Sequence, residues 1–573
     1  MHVFEREVNG CRYRIAAQSL WDPARGRSVA RQAVLGPAGP APTVDLGATQ
    51  IVGKRAVGDV GALTWVAEQL DLIGHIDRAC GGVGTVRGPS IGELVVAVAI
   101  QRACSPGPKC DLPDFLNGSV ARVSCLPGSA FSGQAFHRAA QGVTTRQLEL
   151  AQVAIAKAAV SRFELSTDVL AFDTTNFDTH IASTTKCDLA QRGHAKSKRK
   201  DLRVVGLGLL VSETGHVPLL HRTYPGNGSD QGVLAACLNG LAELHDALDL
   251  GQEGKRSAQR TLVRDGGFWS PQLELDLDAS DYYSLISLPL SHRAAKQALE
   301  MASKRGAMKP LTGKLKGIRA ARIVAKVGEK EELDRTLVVI ESQELLKGQK
   351  RGIAAALTKA KKELRKFERS VEAGRARRSD LQRRVNKALA REHLSEFVVV
   401  EIGGQENAPT LAWRVDTKLR RRLERTRLGR RVLCTDRHAW STGRIVDAFR
   451  GQWNVEELFR RTKKGAVVPW GPSYQWNDGS LQLHTFATVI GLMLVSLAKL
   501  ALGANQSVRT LMQSLSEIEA TLARTATGGL GRTPTIMLAP QLSALQRRAV
   551  KVFDLGRWFP ALLSCSAGRP VRA

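Results

Sequence analysis

The sequence predicts an α/β protein with a mixed sheet that a large insertion interrupts. Between residues 168 and 289, five apolar stretches of strand length surround a single helical pattern. Short apolar runs bounded by Gly, Pro and Asp are typical of strands, and three- and four-residue spacing is typical of helices. A basic segment from about 295 to 430 separates this region from further apolar stretches. At about 150 residues per domain, 573 residues favour three or four domains.

The chain begins with two segments of different pattern. Residues 1–58 contain alternating stretches such as YRIAAQSLW and a Pro- and Gly-rich loop, LGPAGPAPTVDLG. They predict a small β-rich module. Residues 59–165 show apolar residues at helical spacing, as in IGELVVAVAIQRA, and predict a compact helical domain. At the other end, residues 506–573 are expected to form a helical C-terminal region.

The charge balance favours a nucleic-acid partner. Lys+Arg 83 against Asp+Glu 54 gives 83 − 54 = +29, with a pI near 10.2. Such an excess attracts a polyanion, nucleic acid before membrane. We expect the helical domain at 59–165 to bind DNA, although no single helix is marked for that role. A generally basic protein is the alternative.

Cysteine usage and the apolar runs favour a cytoplasmic protein with no membrane partner. The nine cysteines form no CxxC pair, and Cys104, Cys110 and His137 have poor zinc-site spacing. The N-terminus, MHVFEREVNG, has no apolar core for a signal peptide. Residues 486–502 are about long enough to span a membrane, but Lys499 interrupts them. We expect this stretch to be a helix buried in the protein.

The central region has a recognisable order of elements. It reads strand, strand, strand, helix, strand, strand, which is the order of the ribonuclease H topology. A Gly-containing turn at 213–215 predicts a hairpin between the second and third strands. In that topology the first and fourth strands are neighbours, so Asp173 and Asp265 would face each other at the strand ends. The predicted elements are strands at 168–175, 204–212, 216–224, 260–270 and 281–289, and a helix at 233–248.

Residues 166–294 and 431–505 therefore predict a ribonuclease-H-like domain, and residues 295–430 an insertion. Within the insertion, an apolar heptad-like pattern breaks at Gly374 and then resumes, which predicts a helical hairpin. EFVVVEI and RRVLCTD are expected to be strands after it. The basic stretch KLRRRLERTRLGRR, 418–431, fits a solvated helix face and a phosphate contact equally well.

A helix predicted over 447–464 supplies a third carboxylate. Trp453 and Leu458 point away from its polar face and would anchor it. Two acids at neighbouring strand ends raise each other's pKa, and a divalent cation removes that conflict. Oxygen ligands favour Mg²⁺ or Mn²⁺, and a third carboxylate can complete two metal sites about 4 Å apart. The residues within about 40° of Glu456 on this helix are Phe449, Gln452, Glu456, Arg460 and Lys463.

These residues resemble the DDE transposases of bacterial insertion sequences, in the group related to insertion-sequence family four. The marker of that group is Tyr, two residues, Arg, three residues, Glu, six residues, Lys. Here Phe449, Gln452, Glu456 and Lys463 have that spacing. AFDTT, RGHAKSKRKDLRVVGLGLLVS, YPGNGSDQG and VRDGGFWS are also similar to the stretches around the two aspartates of the group.

The resemblance implies a function and a set of site residues. Asp173, Asp265 and Glu456 would bind two Mg²⁺ or Mn²⁺ ions, and the enzyme would cleave DNA ends and join them to target DNA. It further implies terminal inverted repeats as the bound sequence, a homodimer in the DNA complex, and a nucleoid-associated cytoplasmic location. Phe449 and Gln452 occupy the positions where the group has Tyr and Arg. These differences are expected to affect the level of activity. The expected DNA-contacting residues are Lys463, Arg460, Gln452, Phe449, Lys198 and Arg199.

Several alternatives remain open at this point. Asp436 ends a strand-like run and is the main rival for the third ligand. Asp178 and Asp188 are expected in loops, and Glu457 in solvent. The chain could also be a related nuclease that cuts without joining, or a non-catalytic DNA-binding protein. Residues given a DNA-facing or structural role are His194 and His292, and those given a turn-forming role are Asn227 and Asp230.

Overall fold

The protein was analysed as a computed structural model that describes most of its 573 residues. The described residues are 1–8, 11–22, 27–38, 49–81, 88–249, 260–304, 306–328, 332–391, 393–463, 465, 467–525 and 535–564. Their packing divides the chain into two compact units. The first is Met1–Leu262 with Gly451–Ala573, and the second is Val263–Arg450.

The described residues form a mixed α/β structure. The strands are β1 (His2–Val8), β2 (Cys11–Asp22), β3 (Arg27–Pro37), β4 (Thr49–Ala56), β5 (Val169–Thr179), β6 (Arg203–Ser212), β7 (Pro218–Pro225), β8 (Arg260–Arg264), β9 (Tyr282–Leu288), β10 (Lys309–Pro310), β11 (Ile318–Val327), β12 (Leu333–Ser342), β13 (Val398–Gln405), β14 (Ala408–Val415), β15 (Arg430–Thr435), β16 (Glu519–Thr525) and β17 (Thr535–Leu538). The helices are α1 (Gly58–Gln69), α2 (Leu72–Ala79), α3 (Ile91–Cys104), α4 (Leu112–Asn117), α5 (Gly133–Gly142), α6 (Thr145–Phe163), α7 (Asp230–Asp249), α8 (Pro271–Asp278), α9 (Arg293–Ala302), α10 (Gln343–Glu372), α11 (Arg378–Leu389), α12 (Thr417–Thr426), α13 (Thr442–Arg450), α14 (Gln452–Arg461), α15 (Asp478–Leu502), α16 (Val508–Ser516), α17 (Ala544–Val552) and α18 (Ala561–Ser564).

In the first unit, the N-terminal strands and helices follow the predicted pattern. β1, β2 and β3 form an antiparallel sheet, and α1 to α6 occupy the segment predicted to be helical. Reciprocal capping boxes stabilise the starts of two of these helices. Ser90 and Glu93 form a reciprocal capping box at α3, and Thr144 and Gln147 do the same at α6.

The central sheet of the first unit has the strand order β8-β5-β6-β7. β5 pairs antiparallel with β6, and β6 pairs antiparallel with β7. β8 lies beside β5, and the Thr261 N–H donates a hydrogen bond to the Asp168 carbonyl at 2.8 Å. The prediction that the first and fourth strands are neighbours is therefore confirmed.

The long apolar helix α15 is buried in the first unit. It is long enough and apolar enough to span a membrane, but 83% of its most apolar 18-residue stretch is buried in the protein. The expectation of an interior helix over 486–502 is confirmed. Its apolar character follows from contact with protein on nearly all sides, since α1, α3, α6 and β7 pack against it.

The C-terminal region departs from its helical prediction. It contains strands β16 and β17 beside helices α16 to α18, and β16 pairs antiparallel with both β17 and β4. β4 therefore belongs to a sheet completed by residues over 460 positions later. A boundary drawn from local composition at residue 58 could not show this long-range pairing.

In the second unit, strands from the predicted insertion join a sheet. The order is β10-β11-β12-β15-β9, and the Val263–Arg264 end of β8 follows β9. Residues 295–430 are thus not separate from the sheet, because the apolar centre of β12, Leu337–Val339, is fully buried in it. Helix α8, between β8 and β9, was not predicted; Ser270 caps it and Pro271 begins it.

The predicted helical hairpin is confirmed as α10 and α11. Its apolar residues form a core with β13, β14 and α12. The chain reverses at Gly374, whose φ is +65°, a conformation that glycine adopts without a steric penalty. The single helix predicted over 447–464 is instead two helices, α13 and α14, which are separated at Gly451.

Candidate active site

Asp173 lies in the middle of β5, in the first unit. Its predicted position at a strand end is wrong, because β5 continues to Thr179. The four residues before it, Val169–Phe172, are buried, and Asp173 is half-buried. Its backbone pairs with Leu209 of β6, and its Oδ1 accepts a hydrogen bond from the Thr174 N–H at 2.7 Å. The apolar run thus forms a rigid support for a partly exposed carboxylate.

Helix α14 packs against this part of β5. The Gln452 side chain is buried, and its Nε2 donates a hydrogen bond to the Phe172 carbonyl at 3.3 Å. Glu456 is one turn further along α14 and therefore shares the helix face of Gln452. The Glu456 carboxylate is exposed and has no hydrogen bond or ion pair among the described residues. The first unit thus brings the helix face of Glu456 to the strand segment of Asp173.

Asp265 lies in the second unit, directly after β8. It is exposed and precedes a single 3₁₀ turn, Gly266–Phe268, in which the Phe268 N–H donates to the Asp265 carbonyl at 3.1 Å. Its predicted position at a strand end is confirmed. Among the described residues, no group of three or more His, Cys, Asp or Glu side chains has an arrangement that could hold a metal ion.

A buried network supports the strand end that precedes Asp265. Arg264 is fully buried, and its Nη2 donates to Glu274 Oε1 of α8 at 2.9 Å. The Ser284 hydroxyl donates to the other Glu274 oxygen at 3.0 Å. Sequence reasoning missed this network because α8 was not predicted. The available signal was an arginine directly after the apolar pair Leu262 and Val263 in β8.

A basic segment is attached to β5 beside Asp173. The Asn176 Nδ2 donates to the His194 carbonyl at 2.8 Å, and the Lys196 N–H donates to Asn176 Oδ1 at 2.9 Å. Lys196 Nζ also donates to the Thr174 carbonyl. Asn176 was not predicted to have a role, yet its two bonds position the basic segment 192–203 along the strand.

The predicted DNA contacts in that segment are both exposed. Lys198 has a left-handed backbone, with φ 65°, and no ion pair with a described carboxylate. Arg199 pairs with Asp201 through Nε and Oδ1 at 2.7 Å. This hydrogen bond lowers the pKa of Asp201 to about 2. Lys198 is thus the freer of the two cations.

The cations on α14 have a different arrangement from the one predicted. Arg460 pairs with Glu457 at 2.6 Å and stacks on Trp453, 5.2 Å from the ring centre. Arg461 also lies 3.5 Å from Glu457. Glu457 was expected in solvent; its side chain is 29% exposed, and two arginines of its own helix pair with it. Lys463 follows the end of α14 and is exposed.

Phe449 and Gln452 do not present their side chains to solvent. Phe449 is 6% exposed and lies at the end of α13 in the second unit, while Gln452 is 7% exposed in the first. The break at Gly451 separates the two residues, so the helical wheel that placed them on one face does not apply. Their departures from Tyr and Arg therefore affect buried positions, which conflicts with the expected direct DNA contact.

Asp436, the rival third ligand, has a local role in the second unit. Both of its oxygens accept the Ser284 N–H, at 2.9 and 3.2 Å. Burial raises the pKa of the Asp436 carboxyl to about 6. Its oxygens are thus already used to join the end of β15 to β9.

The other acids and histidines have structural contacts. Asp178 lies in β5 rather than in a loop, and it accepts a hydrogen bond from the Ser197 hydroxyl at 2.8 Å. Asp188 is in a loop, as expected. His292 caps α9 by accepting the Ala294 N–H at 3.2 Å. The turn before α7 contains Asn227, and the Gly228 N–H donates to the Pro225 carbonyl at 2.8 Å.

Comparisons with known proteins give a limited result. No family model matches the chain, and no curated protein matches it. Among solved structures, the chain is similar to a cryo-EM structure of the piggyBac transposase synaptic complex with hairpin DNA. The match covers 80% of this chain and 78% of that chain, at 10% sequence identity and a TM-score of 0.35. A likeness this low carries no argument about the site or the activity.

Proposed function

We propose that the chain is a DNA transposase that binds the terminal inverted repeats of an insertion sequence, cleaves the ends and transfers them to target DNA. The observation that carries the proposal is the hydrogen bond between Gln452 and the Phe172 carbonyl. It joins the helix that carries Glu456 to the strand that carries Asp173, within a sheet of order β8-β5-β6-β7. A strand acid and a helix acid, far apart in sequence, are the arrangement expected for a ribonuclease-H-like DDE site.

The proposed substrate is double-stranded DNA. A net charge of +29 favours a polyanion, and the basic segment tied to β5 by Asn176 presents cations beside Asp173. Lys198, Arg199, Arg460 and Lys463 would contact phosphates. A homodimer in the DNA complex and a nucleoid-associated cytoplasmic location belong to the same proposal.

The donor chemistry of the three acids fits a hard divalent cation. Asp173, Asp265 and Glu456 offer carboxylate oxygens, which Mg²⁺ and Mn²⁺ prefer. The Glu456 carboxylate has no competing partner among the described residues. When bound, two such ions would activate a water or 3′-hydroxyl and support the leaving oxygen of an in-line phosphoryl displacement. Asp173 and Glu456, in the first unit, would bind the metal ions. Asp265 is proposed as the third metal ligand on the basis of its sequence motif alone.

The test is a cleavage and joining assay on DNA that carries the ends flanking the gene. Asp173→Asn, Asp265→Asn and Glu456→Gln should each lower cleavage by about 10²-fold or more while DNA binding is retained. Asp188→Asn is the matched control, because it makes the same change at an exposed loop carboxylate. Full cleavage by all three variants would overturn the proposal. Nicked DNA without joined product would indicate a nuclease instead.

A non-catalytic DNA-binding protein is the second candidate. It is favoured by the burial of Phe449 and Gln452, which keeps two positions of the motif from contacting DNA directly. This candidate predicts binding without cleavage at every Mg²⁺ and Mn²⁺ concentration tested. Cleavage by the wild-type protein that is abolished by EDTA would exclude it.

A further inference from the structure

Helix α10 carries a row of cations along one face. Lys347, Arg351, Lys362, Arg365 and Arg369 are all exposed. At about 100° per residue they fall within about 60° of one another around the helix axis. No acidic residue lies on this arc between Lys347 and Arg369. These five residues are called the cationic stripe below.

The opposite face of α10 holds the helix in place. Ile353, Leu357, Leu364 and Phe367 are buried in the core that α10 shares with α11, β13 and β14. On the same helical wheel they lie roughly opposite the cationic stripe. Burial of this apolar face fixes the rotation of α10 about its axis, so the cationic stripe faces solvent.

The cationic stripe has no ion-pair partner within the described part of the chain, although Lys362 interacts electrostatically with Glu363. None of the five side chains forms an ion pair with a described carboxylate, whereas two neighbours off the stripe do. Lys350 pairs with Glu424 at 3.0 Å, and Lys366 pairs with Glu363 at 2.8 Å. Five like charges on one face repel each other, which an external polyanion would relieve.

The spacing of the cationic stripe fits a nucleic-acid groove. Lys347 and Arg351 form one cluster, and the other three cations form a second. Between the clusters the helix rises about 17 Å, at about 1.5 Å per residue. Between the clusters, the exposed residues on the arc of the stripe or within about 20° of it are small: Ala354, Ala355 and Thr358. A major groove is about 12 Å wide between its bordering phosphate chains, so each cluster can reach one chain while small side chains face the groove.

We propose that the cationic stripe binds duplex DNA across a groove through phosphate contacts that do not depend on base sequence. The proposal deepens the proposed function, on which it rests for the choice of DNA as partner. An acidic protein is the alternative partner. It is less favoured because the chain as a whole has a net charge of +29 and the stripe has the spacing of two phosphate chains.

The test measures DNA affinity against salt concentration for the full-length protein. The variant replaces the cationic stripe by K347Q, R351Q, K362Q, R365Q and R369Q. Each lost phosphate contact removes about 0.9 from the slope of log affinity against log salt. We expect the magnitude of the slope to fall by about 4.5, by an equal amount on end DNA and on unrelated duplex DNA. Circular dichroism and thermal unfolding check that the variant is folded.

The matched control removes five other exposed cations of the second unit: K296Q, K304Q, K309Q, K314Q and K316Q. It should leave the slope within about 1 of the wild-type value. An unchanged slope in the stripe variant overturns the proposal, and so does an equal fall in both variants. Loss of binding to polyglutamate with an unchanged DNA slope assigns the stripe to an acidic protein and also overturns it.

The two proposals can fail separately. If the wild-type protein binds DNA but never cleaves it, the transposase activity fails while the slope still decides the role of the cationic stripe. If the stripe variant cleaves and binds with wild-type salt dependence, only the stripe proposal fails.

Discussion

Gln452 and Phe172 are joined by a hydrogen bond from the buried Gln452 Nε2 to the Phe172 carbonyl, at 3.3 Å. The two residues are 280 positions apart in sequence. This bond fixes α14 against β5 one residue before Asp173 and one helical turn before Glu456. A substitution at Gln452 should therefore disturb the relative position of two acids without altering either one.

Gln452→Ala should lower the free energy of unfolding by about 1 to 2 kcal/mol, since a buried amide and its bond to a backbone carbonyl are lost. Cleavage should fall more than DNA affinity. Urea unfolding and the cleavage assay measure the two effects. Gln513→Ala, at an exposed position of α16, should change neither. Wild-type stability in Gln452→Ala would contradict the role given to this bond.

Asn176→Ala should loosen the contact of His194 and Lys196 with β5, because the two backbone hydrogen bonds made by the Asn176 side chain are lost. Lys196, Lys198, Arg199 and Lys200 are exposed trypsin sites. Limited trypsin digestion followed by mass spectrometry should show faster cutting there. The control is Asn386→Ala, on the exposed face of α11. Equal cutting rates in the two variants would show that Asn176 does not hold the segment.

Lys198→Gln should weaken DNA binding more than Arg199→Gln. Arg199 already pairs with Asp201, whereas Lys198 has no described carboxylate partner. We expect the salt slope to fall by about 1 in Lys198→Gln and by less in Arg199→Gln. Fluorescence anisotropy at several salt concentrations gives both values. A larger effect at Arg199 would reverse this ranking.

Glu274→Gln should destabilise the second unit by about 3 to 5 kcal/mol, because it leaves the fully buried Arg264 without its counter-charge. The exposed pair Arg293–Glu332 supplies the control, and Glu332→Gln should cost less than about 1 kcal/mol. Urea unfolding monitors both. Replacing both partners by R264M and E274L should recover part of the loss, because no buried charge then remains unpaired.

The free energy of unfolding should decrease as pH rises from about 4 to about 6, because the Asp436 carboxyl loses its proton over this range. Burial raises the pKa of this carboxyl to about 6 in the folded protein, while Arg335 and the Ser284 N–H oppose the shift and Asp278 adds to it. The unfolded pKa is about 3.9, so the folded state binds the proton more tightly. The stabilisation is complete below about pH 4 and is lost as pH rises through about 6.

Asp436→Asn should remove this part of the pH dependence, which amounts to at most about 3 kcal/mol for a shift of about two pKa units. Urea unfolding at about pH 4 and about pH 7.5 measures the difference. Asp334→Asn, at a side chain that is 71% exposed, should keep the wild-type profile. If Asp436→Asn showed the same pH dependence of stability as the wild-type protein, another titrating group would be responsible.

The sequence was sufficient where local pattern governs structure. The apolar run before Asp173 specified β5, the turn residues specified the β6–β7 hairpin, and Gly374 marked the reversal between α10 and α11. These features depend on the pattern of apolar and polar residues and on backbone preferences, both of which act over a few neighbouring residues. The acid at the end of β8, Asp265, was predictable for the same reason, whereas Asp173 lies in the middle of β5 because that strand continues to Thr179.

The sequence was insufficient where distant segments compete for the same contact. Gln452 was expected on an exposed helix face, but α14 begins after a break at Gly451, and the Gln452 Nε2 donates to the Phe172 carbonyl, 280 positions away. α8 was missed because its short pattern is ambiguous between strand and helix. The pairing of β4 with β16 joins two chain ends, which no local window contains.

The sequence by itself determined the strand acids, the helix acid and the large basic excess, because spacing and composition are properties of the linear chain. Only the tertiary structure decided that Gln452 is buried against Phe172, that Asn176 holds the basic segment, and that Asp436 is already bonded to Ser284. Those contacts depend on which side chains meet after folding. Their partners lie from 18 to 280 residues away along the chain.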